Sequence, residues 1–305
     1  FELGDYNVVT KSGAAGYSFA IGVPPGRQGM EPSIALSYSS QAPLRGGLAA
    51  GWAMDLPHIR KELAPGFFES GDFTAHFGSS SGKLARVEDA SIYGDTYRLE
   101  LNDAFTRFEY QPWTKTWWAF TTDGVTHRFD DGDDESRWLL TRQEDRFGNA
   151  IDYHWAPYSV DGEVVDHYLT DIVYGQNIGA GLAHHAQVVF DYDTQPATCP
   201  GSQVPIGARV DYAITDETRS VPTMEGARKL VKITTKVGAS FETTVRTVDL
   251  AYDAAAESCT GQTAPLRVLH SITESARDAS GVVTQLTPIT FTYGAVTRQP
   301  HAPQT

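Results

Sequence analysis

Apolar and aromatic residues recur at every second position in one segment after another, while the i, i+3, i+4, i+7 spacing of a helix nowhere persists for three turns. In Ala186-Gln187-Val188-Val189-Phe190-Asp191-Tyr192, for example, residues 186, 188, 190 and 192 share one face of an extended chain. The same alternation predicts strands at Tyr17–Val23, Ser33–Tyr38, Asp72–Phe77, Tyr97–Leu101, Phe105–Tyr110, Trp117–Thr121, Thr126–Phe129, Trp138–Gln143 and Ala150–Trp155. Further strands follow at Tyr168–Tyr174, Ala186–Tyr192, Arg209–Thr215, Leu230–Val237, Thr243–Tyr252, Val268–Ala276 and Val283–Tyr293. Between them stand turn residues such as Asp123-Gly124 and Asp161-Gly162, which suit tight hairpins, rather than helix caps. The expected fold is all-β, a long antiparallel meander of many short strands. Only Gly175–His185, rich in Gly, Ala and Asn, reads as a loop or a short helix.

A weak repeat runs through the second half. Phe190-Asp191-Tyr192-Asp193 and Phe291-Thr292-Tyr293-Gly294 share a pattern, and Leu250-Ala251-Tyr252-Asp253 and Ile172-Val173-Tyr174-Gly175 are looser copies. Each buries a pair of residues on one face and then turns, so the sheet is expected to grow by adding hairpin-sized units, a habit that builds walls rather than pockets. Composition does not shift before the tail, so residues 1–295 are expected to form a single extended β domain, with 296–305 a frayed linker.

Of 305 residues, 41% are hydrophobic, enough for a large core. The 38 Asp and Glu outweigh the 24 Lys and Arg, and the net charge of −14 repels nucleic acid and anionic lipid. No apolar run reaches the ~18 residues of a membrane-spanning helix. The sequence starts at Phe1 without Met and is expected to be a piece of a longer protein.

Ordered blocks carry a resemblance. The first sixty residues hold Gly16-Tyr17-Ser18, then Pro24-Pro25-Gly26-Arg27-Gln28-Gly29, Pro32-Ser33-Ile34-Ala35-Leu36-Ser37-Tyr38, Gly51-Trp52 and Leu56-Pro57-His58-Ile59-Arg60-Lys61. Later come Arg137-Trp138-Leu139-Leu140, Asp145-Arg146-Phe147-Gly148-Asn149-Ala150-Ile151-Asp152-Tyr153, Ile172-Val173-Tyr174-Gly175 and Pro288-Ile289-Thr290-Phe291-Thr292-Tyr293. From about Gly13 to Gly294 the chain resembles the N-terminal domain of the virulence-plasmid B protein (SpvB) family, which also begins the B subunits of insecticidal toxin complexes. That resemblance implies a curved, Rhs-shell-like sheet, part of a hollow shell that encloses a toxic C-terminal segment. Its partners would be downstream Rhs-repeat or toxin segments, or toxin-complex subunits. The ADP-ribosyltransferase of the virulence-plasmid protein is a separate domain, so no catalytic residue and no cofactor is expected here.

Four groups of residues are candidates for chemistry. Cys199 and Cys259 each follow a strand-end tyrosine, Tyr192 or Tyr252, by seven residues and sit in similar loops. They are either a disulfide or two free thiols; a bridge across about 60 residues would add on the order of 4 kcal/mol in the chain-entropy model. The run Asp130-Asp131-Gly132-Asp133-Asp134-Glu135 is a weak Ca²⁺ candidate through Asp130, Asp131, Asp133 and Asp134, but its spacing is not that of a helix-loop-helix calcium loop, and a solvated hairpin turn explains it more simply. Trp113, Trp117 and Trp118 could present a glycan- or partner-binding surface; core packing is the plainer reading, since Trp117 and Trp118 must point to opposite faces of a strand. His184 and His185 are adjacent and diverge, and no zinc spacing, Gly-x-Ser-x-Gly elbow or phosphate loop occurs. Asp145-Arg146-Phe147-Gly148-Asn149 reads as a tight turn supporting the fold.

The expected function is therefore a non-catalytic shell or scaffold domain of a secreted toxin or virulence protein, cytoplasmic before export. A cell-surface or glycan-binding adhesion module is the alternative.

Overall fold

The computed structural model describes residues 4–10, 13–61, 73–77, 80–87, 94–101, 105–131, 137–211, 223–260, 264–278 and 280–294, and all regular structure among them is strand. Strands β1 (Asp5–Val9), β2 (Ala14–Ala20), β3 (Ala35–Ser39) and β4 (Trp52–Met54) form an antiparallel sheet in that order. Eight short strands follow: β5 (His58–Lys61), β6 (Phe73–Phe77), β7 (Ser80–Arg86), β8 (Asp95–Leu99), β9 (Arg107–Gln111), β10 (Thr116–Phe120), β11 (Thr126–Asp131) and β12 (Arg137–Glu144). Each pairs with its neighbour from β5 to β11, β11 pairs with β12, and β12 pairs back to β5, so the meander closes into a barrel.

Closure follows from the side chains on the inner face. Ile59, Phe108, Trp117, Phe129, Trp138 and Leu140 are fully buried there, with Ala75 and Ala119 as the small partners that make room for the indoles. Eight strands enclose an interior just wide enough for side chains to fill. Trp117 and Trp138 cross edge-to-face with ring centres 6.2 Å apart, and Phe73 meets Trp117 at 4.9 Å. The barrel is a packed core.

β12 is the branch point. Residues Arg137–Leu139 pair with β5, whereas Arg142–Glu144 pair with β13 (Asn149–Val160). From there an open antiparallel sheet runs through β14 (Glu163–Asn177), β15 (Ala186–Tyr192), β18 (Leu230–Val237), β19 (Thr243–Tyr252) and β20 (Leu269–Arg277). Two short strands, β21 (Val283–Gln285) and β22 (Ile289–Thr290), both pair with β20. A small hairpin of β16 (Arg209–Asp211) and β17 (Thr223–Glu225) lies apart, its Met224 packed on Val165.

The N-terminal sheet covers one face of the open sheet. Trp52 meets Phe291 at 4.8 Å, Tyr38 meets Tyr293 at 5.8 Å, and the Trp52 indole donates to the Tyr293 hydroxyl at 2.8 Å. Tyr174 donates to the Pro24 carbonyl at 2.7 Å, tying the proline turn to β14.

The expected meander is present, and Ala186–Tyr192, Leu230–Val237 and Thr243–Tyr252 are strands over the residues predicted. Two differences have physical causes. The stretch predicted as Val283–Tyr293 splits into β21 and β22 with an irregular end, because Phe291 and Tyr293 turn in to pack against Trp52. Gly175–His185 is the end of β14 followed by a loop, pinned by the reciprocal backbone bonds of Asn177 and Leu182. Residues 212–215, predicted as strand, and the tail from 295 lie outside the described residues.

Candidate functional site at the barrel junction

Where barrel, N-terminal sheet and open sheet meet, a cleft of about 280 Å³ opens, with Arg60, Arg137, Trp155, Asp166, Glu225 and Arg228 in its lining. Its charges come from different elements. Glu225, on β17, is paired with Arg60 of β5, with Arg209 of β16, and with Arg137 of β12 at 3.4 Å. Arg137 also reaches Asp166 of β14 at 3.4 Å.

Asp166 is 6% exposed and accepts the backbone N–H groups of Ala227 at 2.9 Å and His167 at 2.8 Å. Burial pushes its carboxyl up; Arg137 and those two N–H groups oppose the rise. Arg228 lies over the rings of Tyr168 and Tyr192, 4.8 and 5.9 Å from their centres, and pairs with Asp193 at 3.2 Å. His58 stacks on His76 at 5.2 Å and shares a 3.1 Å hydrogen bond with the Leu56 carbonyl. Burial pushes His58 down to about 3, so it is neutral at physiological pH.

Chemically, the arrangement engages its charges with one another. Glu225 sits among three guanidinium groups and Asp166 holds two backbone donors and one cation, so these carboxylates bind three parts of the fold together. Sequence reasoning overlooked this cluster, since its members lie on separate strands and no local spacing marks them.

The residues singled out from the sequence do not converge on the cleft. Trp117 fills the barrel interior at 0% exposure, so it cannot belong to a sugar-stacking surface; an eight-stranded ring this small needs its large residues inside. Trp118 points the other way, half-buried under Arg128 at 5.8 Å. Trp113, 66% exposed, stands in the turn between β9 and β10. The three indoles therefore occupy three environments.

The carboxylate of Asp130 accepts from the hydroxyls of Thr116 at 3.3 Å and Thr141 at 2.5 Å and pairs with Arg128 at 2.9 Å. Asp131 ends β11, and Asp133 and Asp134 lie outside the described residues. Among the described residues no group of three or more potential ligands is placed to hold a metal ion. His184 pairs with Asp152 at 3.1 Å, whereas His185 turns toward the Pro25 carbonyl at 3.4 Å.

Cys199 and Cys259 are bridged, with sulfurs 2.06 Å and Cα atoms 5.6 Å apart. The bridge ties the loop after β15 to the loop after β19. Arg267, which nothing in the sequence distinguished, is only 2% exposed and donates to the carbonyls of Ile206 at 2.7 Å, Gly226 at 3.0 Å and Arg228 at 3.0 Å.

Several solved structures share this architecture. The chain superposes on a chain of "TcdB2-TccC3-TEV" with a TM-score of 0.68 at 18% identity, covering 92% of this chain and 16% of that one. A Photorhabdus luminescens Tc holotoxin pore matches with the same values. The N-terminal domain of effector protein SpvB from Salmonella typhimurium strain LT2 matches with a TM-score of 0.60 at 16% identity, covering 85% of this chain and 99% of that one. At these identities the likeness is one of fold, and the chain spans only a small part of the toxin-complex chains. No curated protein sequence matches. No helix among the described residues is long and apolar enough to cross a membrane. The family model for Salmonella virulence plasmid 65kDa B protein takes in residues 9–206, well over half of the sequence, and the chain accordingly belongs to this virulence-associated SpvB family.

Proposed function

We propose that the chain is a non-catalytic wall segment of a secreted bacterial toxin or virulence protein, made in the cytoplasm and exported. It would help to enclose or deliver a toxic partner segment. The observation that carries this reading is the architecture itself: a packed barrel that continues through β12 into an open sheet extended strand by strand, with one face covered by the N-terminal sheet. Such a sheet separates two compartments through its continuity, with no need for a reactive residue. Likeness of fold to chains of toxin complexes and to the SpvB N-terminal domain supports the same reading. Its partners would be downstream Rhs-repeat or toxin segments, or other toxin-complex subunits.

Co-expression with Rhs-repeat and toxin segments from related toxins tests the proposal. The expected result is a complex that co-elutes on size exclusion and shields the toxin segment from protease. Glycan-array binding by the chain alone, with no complex formed, would overturn it and favour an adhesion module using Trp113.

A further inference from the structure

At one end of the open sheet two neighbouring loops carry exposed apolar side chains. The loop between β14 and β15 contains Ile178-Gly179-Ala180-Gly181-Leu182-Ala183, six exposed residues in a row without a polar side chain. Ile178 is 69% exposed and Leu182 40%. The β12–β13 turn stands beside this loop, since Asn177 donates from Nδ2 to the Phe147 carbonyl at 2.9 Å, and it adds Phe147, 58% exposed. The β14–β15 tip is firmly closed. Asn177 and Leu182 exchange backbone hydrogen bonds at 2.9 Å, Gly181 donates to the Ile178 carbonyl at 3.0 Å, and Ala180 donates to the Asn177 side chain at 3.0 Å. An exposed apolar patch on a fixed tip marks a surface that meets something less polar than water.

Three features select lipid as the occupant. The projecting tip closes the N–H groups of Asn177, Ala180, Gly181 and Leu182 on itself, which an apolar phase demands and which leaves little for a peptide strand to pair with. The Arg146 guanidinium lies over the Phe147 ring, 4.9 Å from its centre, and pairs with no carboxylate among the described residues. It can therefore meet a headgroup phosphate while the ring enters the interface. Carboxylates of the adjoining turns are engaged locally. Asp145 accepts the N–H groups of Phe147 and Asn149, Asp123 accepts the Thr121 hydroxyl and the Val125 N–H, and Glu242 accepts the Ser240 N–H. His184 and His185, which end the loop, are held by Asp152 at 3.1 Å and the Pro25 carbonyl at 3.4 Å. We infer that Ile178, Leu182 and Phe147 form a shallow membrane anchor, inserted at the headgroup boundary of a bilayer without net charge. A neutral bilayer fits because the chain's net charge of −14 repels anionic lipid.

Flotation of the intact chain with phosphatidylcholine vesicles tests this. The chain should float with the vesicles, and the double variant Ile178→Asp/Leu182→Asp should bind at least about tenfold more weakly. Its melting temperature should be unchanged, since both positions are exposed. Trp113→Ser removes a residue of similar exposure in the β9–β10 turn, at the opposite end of β10 from Gly124 and its neighbour Arg146, and should bind as the parent does. Phe147→Trp provides a second reading: vesicles with brominated acyl chains should quench the fluorescence it adds. Three results would overturn the inference: no flotation of the parent chain, equal flotation of parent and double variant, or added fluorescence that brominated lipid leaves unquenched. Binding of an Rhs-repeat or toxin segment that the double variant abolishes, without flotation of the parent, would assign the tip to a protein interface instead.

Discussion

His127 offers the sharpest test of the barrel, because its environment makes stability depend on pH in a calculable way. It lies on β11 inside the ring, 7% exposed, with its ring edge-on to Phe77 at 4.8 Å and no hydrogen-bond partner for Nδ1. Burial lowers its pKa from 6.5 to about 4, against the opposing pull of Asp123 and a backbone hydrogen bond with Ala119. The unfolded chain therefore binds a proton near pH 6.5 that the folded chain accepts only near 4, so stability falls as pH drops through that window. Linkage gives a loss of about 2 kcal/mol between about pH 7.5 and about pH 5, approaching about 3.4 kcal/mol below pH ~4. Urea denaturation of the wild type and His127→Phe at both pH values isolates this contribution, since every other group titrates in both proteins. The pH-induced loss should be smaller in the variant by about 2 kcal/mol. An equal loss in the two proteins would refute burial of a neutral imidazole in the barrel.

Other substitutions probe other parts of the fold. Trp117→Ala should cost about 3–5 kcal/mol in chemical denaturation, because it empties the barrel centre, whereas Trp113→Ala, exposed on a turn, should stay within about 0.5 kcal/mol. Arg267→Met leaves the carbonyls of Ile206, Gly226 and Arg228 without their shared donor and should cost about 3 kcal/mol; a loss below about 1 kcal/mol would show that this buried cation is not a keystone. Gly148 has φ +82° with no outside atom nearer than 3.7 Å to an added Cβ, so Gly148→Val should cost about 1–2 kcal/mol from backbone strain alone, read as a lowered melting temperature.

Much of the fold was legible in the sequence because a strand announces itself locally. Period-two alternation located β15, β18 and β19, and the turn at Asp145–Asn149 followed from residues that tolerate tight geometry: Asp145 accepts the backbone N–H groups of Phe147 at 2.8 Å and Asn149 at 2.9 Å. Short strands such as β4 and β17, three residues each, were missed, since three residues hold too little alternation to stand out. Trp117 and Trp118 were correctly assigned to opposite faces, but alternation cannot say which face is inside.

By itself, then, the sequence determined an all-β chain, the hairpin order of its meander and a family resemblance, all properties carried by neighbouring residues or by blocks in series. Only the tertiary structure decided that β12 pairs back to β5 to close a ring, that β12 divides its edge between β5 and β13, and that Arg60 and Arg137 converge on Glu225. Those outcomes depend on contacts between residues tens to more than a hundred positions apart, selected by the volume of side chains a barrel can hold and by the need of buried charges for partners, neither of which leaves a local pattern in the chain.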